Sequence, residues 1–204
     1  DVMFSGRIGE EYETLKLICP LATKMSQLVG MTVQEYADTH PGQVLSVLEL
    51  GGGTGITTLA ILNASDAVNV MSVDSEPTMQ SQAKKSLMQW AKQGRLLFDG
   101  RDALTALKNT PDASIDLMAS AYTLHNFLDT YRAEVITEIF RVLKPGGQFI
   151  NGDRYGLDDI SDHTRLLQND IAGYFDVLVR LKKFAVLQHW IVHLFADESE
   201  NHVM

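Results

Sequence analysis

VLSVLELGGGTG, which occupies residues 44–55, joins an apolar, β-branched run to a cluster of glycines. The run at residues 44–50 is typical of a buried β-strand, and residues 54–63 predict a helix. The glycines between them permit positive φ angles and let a ligand approach the backbone closely. The free N–H groups that open the helix attract negatively charged groups. The segment therefore predicts a strand, a ligand-binding loop and a helix in immediate succession.

The alternation of strand and helix continues to about residue 153. It implies right-handed βαβ units and a parallel sheet, so the predicted fold class is α/β, with a Rossmann-like, doubly wound, mostly parallel sheet. Ser75 is predicted to cap the second helix, with Glu76 as a solvated acid in its first turn, and Asp129 is predicted to cap the fourth. The predicted strands span residues 44–50, 68–74, 95–98, 115–121 and 148–153, and the predicted helices span residues 54–63, 75–92, 102–108 and 129–143.

Polar residues follow every predicted strand. Because the carboxyl ends of parallel strands meet at one edge of the sheet, these residues should converge on one crevice, where ligands of open α/β sheets bind. Glu49 and the glycines end the first strand, Asp74 ends the second, and Asp102 follows the third. The exits of the fourth and fifth strands carry Tyr122, His125, Asn126, Asp153, Arg154 and Tyr155.

The spacing of the glycines separates two kinds of nucleotide site. A dinucleotide-binding loop has the pattern G-x-G-x-x-G, whereas here Gly51, Gly53 and Gly55 follow Glu49 as acid-x-G-x-G-x-G. This pattern resembles the first motif of the class I methyltransferases, which depend on S-adenosyl-L-methionine (SAM). The RVLKPGG segment at residues 141–147 is similar to that family's turn into its fifth strand. Together with the residues that follow strands two to four, the resemblance extends over residues 44–153.

The resemblance implies SAM as the cofactor and a strand order of 3-2-1-4-5. Asp74 matches the family's ribose-binding acid, a role that suits a carboxylate because it accepts hydrogen bonds from two hydroxyls. Asp102 with Ala103 matches the contact to the adenine amine. The alternatives are that Asp74 and Asp102 only cap helices. The implied cofactor-binding residues are Glu49, Gly51, Gly52, Gly53, Gly55, Asp74, Ser75, Asp102, Ala103, Ala121 and Tyr122.

His125 is the candidate catalytic residue, because histidine in general exchanges a proton near neutral pH. The YTLHN run at residues 122–126 resembles the family's fourth-strand exit, where side chains often line the donor pocket. A lining role is therefore the alternative for His125. Asp153, Arg154 and Tyr155 are the candidate substrate-contacting residues.

Composition limits the classes of partner. A formal net charge of −9 makes nucleic acid an unfavourable partner. The single cysteine, Cys19, excludes an intrachain disulfide and fits a cytoplasmic protein. No apolar run reaches the length of a membrane span, and the first residues do not resemble a signal peptide. No metal is predicted, since the apolar residues between His189 and His193 favour packing over a metal site.

The length predicts a single SAM-binding domain over residues 1–204, with residues 44–153 as its core. Residues 1–43 are predicted to form a helical N-terminal lid and residues 154–204 a helical cover; simple packing is the alternative for both. The family's sheet usually has seven strands, and only five are predicted here, so the edge hairpin is expected to be missing by truncation, disorder or absence. The fifth strand then needs a cover, either residues 158–196 or the second subunit of a homodimer.

The predicted function is transfer of a methyl group from SAM to a small-molecule acceptor. Diffuse similarity of the flanking helices to carboxy-SAM synthases gives one alternative, an enzyme that modifies SAM itself. A noncatalytic SAM-binding module and an NAD-binding oxidoreductase are others, although the loop spacing disfavours NAD. A protein or nucleic-acid methyltransferase is a further alternative, and the acidic charge weakens its nucleic-acid version.

Overall fold

The computed structural model describes residues 20–153, 155–188 and 190–192. Arg154, His189 and His193 therefore lie outside the described residues. The chain divides into two compact units, one of residues 23–153 and one of residues 1–22 together with 154–204. The lid and cover roles of the flanking segments stay predictions.

The larger unit contains one sheet of parallel strands, as predicted. Its members are β1 (Leu45–Leu50), β2 (Val68–Val73), β3 (Leu96–Asp99), β4 (Ile115–Ala121) and β5 (Leu143–Gly152). Their order is β3-β2-β1-β4-β5, which confirms the predicted topology. Because β2 and β4 lie on opposite sides of β1, the loops after β1 and β4 flank the point where the strand order reverses. Ligands of this type of sheet bind at that point.

Helices connect the strands and flank both faces of the sheet. One predicted helix, at residues 75–92, is divided in two, because Leu87 departs from helical geometry with φ −107° and ψ 16°. Residues 184–188 and 190–192 are also helical. The helices are α1 (Pro20–Asp38), α2 (Ile56–Ala64), α3 (Pro77–Ser86), α4 (Met88–Lys92), α5 (Ala103–Lys108), α6 (Asp129–Val142) and α7 (Ile160–Arg180).

Two of the predicted helix caps are wrong. Glu76, not Ser75, caps α3: its backbone is extended, and its side chain accepts a hydrogen bond from Thr78 N at 3.1 Å. Glu76 is consequently buried rather than solvated. Asp129 is the first residue of α6 and forms an ion pair with Arg132, so it acts within the first turn and does not cap it.

The fifth strand begins earlier than predicted and contains a bulge. Leu143 pairs with Ile115 of β4, but the next pair joins Gln148 to Leu117. Residues 144–147, which hold the predicted Pro-Gly-Gly turn, are thus accommodated within the strand. Regular pairing resumes at Gln148, where the sequence predicts the start of the strand.

The core of the larger unit lies on both faces of the sheet. Successive strand residues point to opposite faces, so Leu45 and Val47 of β1 pack in the cluster that includes α1 and α2. Leu48 and Leu50 pack on the other face, in the cluster that includes α5 and α6. Glu49 lies on the same face of β1 as Val47 and therefore points toward α2. The smaller unit has its own cluster of buried side chains, formed by Tyr174, Leu178, Val186, Leu187 and Trp190.

Candidate active site

The glycine loop after β1 is bound to the end of β2. Gly51 N and Gly52 N both donate to Val73 O, at 2.8 and 3.1 Å. Gly51 has φ +70°, and a Cβ there would lie 2.0 Å from Thr123 Oγ1. A Cβ on Gly52 would lie 2.0 Å from Ser72 Oγ. The loop therefore requires glycine at both positions, at Gly51 for its conformation as well as for space.

Asp74, at the end of β2, is joined directly to the glycine loop. Its Oδ2 accepts a hydrogen bond from Gly53 N at 2.7 Å, and its Oδ1 accepts one from Glu76 N at 2.8 Å. Burial raises the pKa of Asp74, while these two backbone bonds act to lower it. Since Glu76 caps α3, Asp74 is not the cap of that helix. Each carboxylate oxygen keeps a lone pair for a further donor such as a hydroxyl.

Glu49 lies fully buried beneath the loop, within a small polar network. Its Oε2 accepts hydrogen bonds from Thr58 Oγ1 of α2 at 2.5 Å and from Ser72 Oγ of β2 at 2.8 Å. Among the described residues, Oε1 has no hydrogen-bond partner. Burial raises the pKa of Glu49 to about 7, and the Thr58 and Ser72 hydroxyls act against that rise. Glu49 is thus a buried acid with unused hydrogen-bonding capacity next to the glycine loop.

We expect Glu49 to make stability depend on pH. Its pKa is about 7 in the folded chain and 4.5 in its ordinary state, so its contribution is full below pH 4.5 and is lost as the pH rises to 7. The free energy of unfolding should lose about 3 kcal/mol over that range from this residue. Glu49→Gln, which resembles the protonated acid, should remove this component. Urea denaturation at several pH values measures it as the difference between the two proteins.

The matched control for Glu49→Gln is Glu134→Gln, because Glu134 is an exposed acid on α6. That variant should keep the pH dependence of the unmodified chain. Parallel pH profiles for the Glu49→Gln protein and the unmodified protein would contradict the assignment of the shifted pKa to Glu49.

The turn after β3 holds Asp102 at the start of α5. Asp102 Oδ1 accepts a hydrogen bond from Thr105 N at 2.9 Å, so Asp102 caps α5. It also accepts one from Tyr131 Oη of α6 at 3.0 Å. Although burial would raise the pKa of Asp102, the hydrogen bonds from Thr105 and Tyr131 hold it below its ordinary value. Capping does not use all of its acceptor capacity, so a cofactor contact stays a prediction.

The exit of β4 approaches the glycine loop from the other side. The single hydroxyl hydrogen of Thr123 has two carbonyl acceptors within reach, Leu50 O at 3.3 Å from Oγ1 and Ala121 O at 3.1 Å. Tyr122 has φ +53°, an uncommon value for a non-glycine residue, and its ring meets that of His125 edge-on at 6.4 Å. Strained residues of this kind concentrate at functional sites. The turn therefore places Tyr122 and His125 next to each other.

His125 and Asp153 form a close pair between the exits of β4 and β5. His125 Nδ1 lies 2.5 Å from Asp153 Oδ1, and His125 N donates to Asp153 Oδ2 at 3.2 Å. The Asp153 side chain is 2% exposed and that of His125 is 20% exposed. A short 3₁₀ turn, Leu124–Asn126, carries the histidine. The buried carboxylate thus fixes the orientation of a partly accessible imidazole.

The predicted site residues do not all come together. The residues that end β1 to β5 adjoin one another at the sheet edge, including the predicted Glu49, the glycines, Asp74 and His125. Ser75 is exposed beside Asp74. Arg154 lies outside the described residues, and Tyr155 belongs to the smaller unit, where it is 71% exposed. Their predicted contacts with substrate stay predictions.

Sequence reasoning missed two contributors to this edge and the role of a third. Asp153 is predicted from the sequence to contact the substrate, and its pairing with His125 is not predicted. Thr123, against the loop, and Tyr131, against Asp102, were not singled out at all. Only the position of Asp153 at a strand end could have signalled its pairing, because the other two residues act through contacts between distant segments.

Comparisons with known proteins agree with this geometry. The profile of a methyltransferase domain family matches residues 47–147. A demethylmenaquinone methyltransferase from Leptospira interrogans is 38% identical over 121 residues, or 59% of this chain and 47% of that protein. A carboxy-S-adenosyl-L-methionine synthase from Photobacterium profundum is 20% identical over 194 residues, or 91% of this chain and 76% of that protein. A solved O-methyltransferase family protein from Burkholderia thailandensis is similar with a TM-score of 0.56 and 22% identity, over 71% of this chain and 41% of that one.

A parallel sheet whose edge carries acids and glycines is typical of a nucleotide-binding fold. The similar proteins show which class of nucleotide-binding protein this is. The chain belongs to the class I SAM-dependent methyltransferase family. The likeness to the Burkholderia thailandensis structure supports the fold alone. The chain spans about half the length of the Leptospira interrogans relative.

The residues at the sheet edge fit SAM, the cofactor of this family. Its sulfonium and amino groups are cationic, and the buried Glu49 and the half-buried Asp74 form no ion pair with a described lysine or arginine. Glu49 Oε1 also offers a buried acceptor that has no hydrogen-bond partner among the described residues. A side chain at Gly51 would clash with Thr123 and one at Gly52 with Ser72, so the loop offers its bare backbone to a ligand. Glycines, acceptors and negative charge thus all match the cofactor.

The part of the chain that the structure describes contains neither a metal-binding cluster nor a membrane-spanning helix. No cluster of three or more histidine, cysteine, aspartate or glutamate side chains there could hold a metal ion. None of the helices in that part combines the length and apolar character required to span a bilayer.

Asp74→Ala is expected to weaken SAM binding at least tenfold, about 1.4 kcal/mol or more. The variant loses an acceptor for the ribose and also the hydrogen bond that ties Gly53 to β2. Isothermal titration calorimetry with SAM measures the change. Asp66→Ala is the matched control, because Asp66 is an exposed acid of the same unit. Unchanged affinity in Asp74→Ala would contradict the ribose assignment.

Proposed function

We propose that this chain transfers a methyl group from SAM to a small acceptor and that His125, oriented by Asp153, removes a proton from that acceptor. The single observation that carries the proposal is the 2.5 Å contact between His125 Nδ1 and Asp153 Oδ1. The contact lies at the exits of β4 and β5, at the same sheet edge as the glycine loop.

The pairing sets the direction of proton transfer. An ionised carboxylate can only accept hydrogen bonds, so Nδ1 of His125 must donate and carry the proton of the neutral ring. Nε2 is then an acceptor with a lone pair. It can take a proton from an acceptor hydroxyl, amine or acidic C–H, and the carboxylate of Asp153 stabilises the imidazolium that results. When bound, SAM supplies an electrophilic methyl group on a positively charged sulfur leaving group.

Positioning contributes the rest of the rate enhancement in this proposal. The glycine loop, Asp74 and Asp102 hold the cofactor, and Tyr122 with His125 holds the acceptor against it. Alignment of two reactants can supply several kcal/mol of barrier reduction, of the order of 7 or more in the best cases. The cost of ordering the site is low, because hydrogen bonds to Val73, Leu50 and Asp74 already fix the loops.

A small acceptor is supported by two observations. The Leptospira interrogans relative is named for demethylmenaquinone, a small molecule. The net charge of −9 disfavours a polyanionic acceptor. We also propose that the protein is cytoplasmic, in keeping with its single cysteine. Homodimer formation and the exclusion of nucleic acid stay predictions.

The test is incubation with SAM that carries a deuterated methyl group and with a panel of small acceptors, demethylmenaquinone among them. Mass spectrometry should detect a labelled acceptor together with an equal amount of S-adenosylhomocysteine. SAM binding without either product across the panel would support a noncatalytic module instead. A mass increase on SAM itself would support the alternative suggested by the Photobacterium profundum relative.

A further inference from the structure

A tyrosine hydroxyl connects α6 to the turn after β3. Tyr131 Oη accepts a hydrogen bond from Leu104 N at 3.0 Å and lies 3.0 Å from Asp102 Oδ1. Because a backbone N–H can only donate, the hydroxyl proton of Tyr131 is directed to Asp102. The hydroxyl therefore joins the first turn of α5 to the carboxylate that precedes it.

The tyrosine ring is held in place from the side of α6. Phe127 meets it edge-on, with 5.0 Å between ring centroids and an interplanar angle of 82°. Burial raises the pKa of Tyr131, and its hydrogen bond to Asp102 acts in the same direction. The group thus remains a protonated donor under ordinary conditions. Its position is set by packing and by two hydrogen bonds at once.

Asp102 itself is exposed, so its side chain would otherwise be fixed only by the cap to Thr105. Both the Thr105 and Tyr131 contacts use Oδ1. They leave acceptor capacity on Oδ2, since an ionised carboxylate has about four acceptor sites. An exposed carboxylate fixed by one oxygen presents the other in a defined direction.

We propose that Tyr131 is a positioning residue that holds Asp102 to accept from the 6-amino group of adenine and so makes the chain select adenosyl over inosyl ligands. The inference rests on the proposed function, because it takes the sheet edge as the SAM site. An amine donates to a carboxylate, whereas a 6-oxo group offers only an acceptor and is repelled. A polar contact of this kind discriminates strongly when the wrong partner leaves a polar group unpaired.

Calorimetry with S-adenosylhomocysteine and S-inosylhomocysteine tests the inference. The unmodified chain should bind the adenosyl ligand more tightly. Tyr131→Phe, which keeps the ring against Phe127, should lower the adenosyl-to-inosyl affinity ratio about fivefold, the worth of one hydrogen bond. Loss of local stability alone would weaken the binding of both ligands alike and leave that ratio unchanged.

Tyr36→Phe is the matched control, because it removes a tyrosine hydroxyl whose partner is Gly146 O, in the bulge that opens β5. It should leave the ratio unaltered. Asp102→Asn gives a second arm: its amide can still cap α5 and offers a donor to a 6-oxo group, so the ratio should fall further. An unaltered ratio in Tyr131→Phe would overturn the inference alone. Failure of the unmodified chain to bind S-adenosylhomocysteine would overturn the proposed function and the inference together.

Discussion

Replacement of His125 by glutamine is expected to lower kcat for methyl transfer about 10²- to 10⁴-fold and to leave the Kd for SAM unchanged. Glutamine has a similar reach and can donate an amide hydrogen to Asp153, so the 3₁₀ turn should keep its shape. It has no group that can take a proton from the acceptor. The chemical step, and not cofactor binding, should therefore fail. Steady-state kinetics with a labelled SAM and calorimetry on the same samples separate the two quantities.

Two further variants sharpen this prediction. Asp153→Asn should also reduce kcat with little change in SAM affinity, because the amide can no longer select the ring form with the proton on Nδ1. His40→Gln is the matched control, since His40 stacks on Tyr36 and its Nδ1 lies 2.9 Å from Tyr36 O. His40→Gln should retain full activity. If SAM affinity in His125→Gln falls in step with kcat, His125 lines the cofactor pocket and is not the base.

The sheet edge was predictable because topology alone determines it. Alternation of strands and helices forces parallel pairing, and parallel pairing brings Glu49, Asp74 and the glycines to one end. The hydrogen bond from Gly53 N to Asp74 Oδ2 joins two residues that this rule brings to the same edge. The alternation of strand and helix patterns along the chain carries this information, so one sequence is sufficient to predict the edge.

Contacts between loops were not predictable in the same way. The pairing of His125 with Asp153 depends on the 3₁₀ turn Leu124–Asn126, which has no distinctive sequence signal. The predicted cap of α3 is wrong because Ser75 and Glu76 are adjacent and can both accept hydrogen bonds. Pro77 fixes the first helical position, and the residue directly before it becomes the cap. Local geometry therefore decided between two chemically suitable neighbours.

Gly51→Ala should destabilise the fold by roughly 4 kcal/mol and reduce SAM affinity by two orders of magnitude or more. Two costs add: φ is +70°, which side chains other than glycine rarely adopt, and the new Cβ would lie 2.0 Å from Thr123 Oγ1. Movement of the loop to relieve the contact would break the hydrogen bond from Gly51 N to Val73 O. Urea denaturation and SAM calorimetry measure the two effects.

Gly42→Ala separates the two costs, because Gly42 has φ +78° but an added Cβ there would meet nothing within 4 Å. The free energy of unfolding of this variant should fall only by the cost of the backbone conformation, roughly 1 to 2 kcal/mol, and the variant should bind SAM normally. The difference between the two variants is then the cost of forcing the glycine loop away from Thr123. Equal destabilisation of both variants would show that Thr123 can move aside, in which case the close contact between the exits of β1 and β4 does not fix the loop.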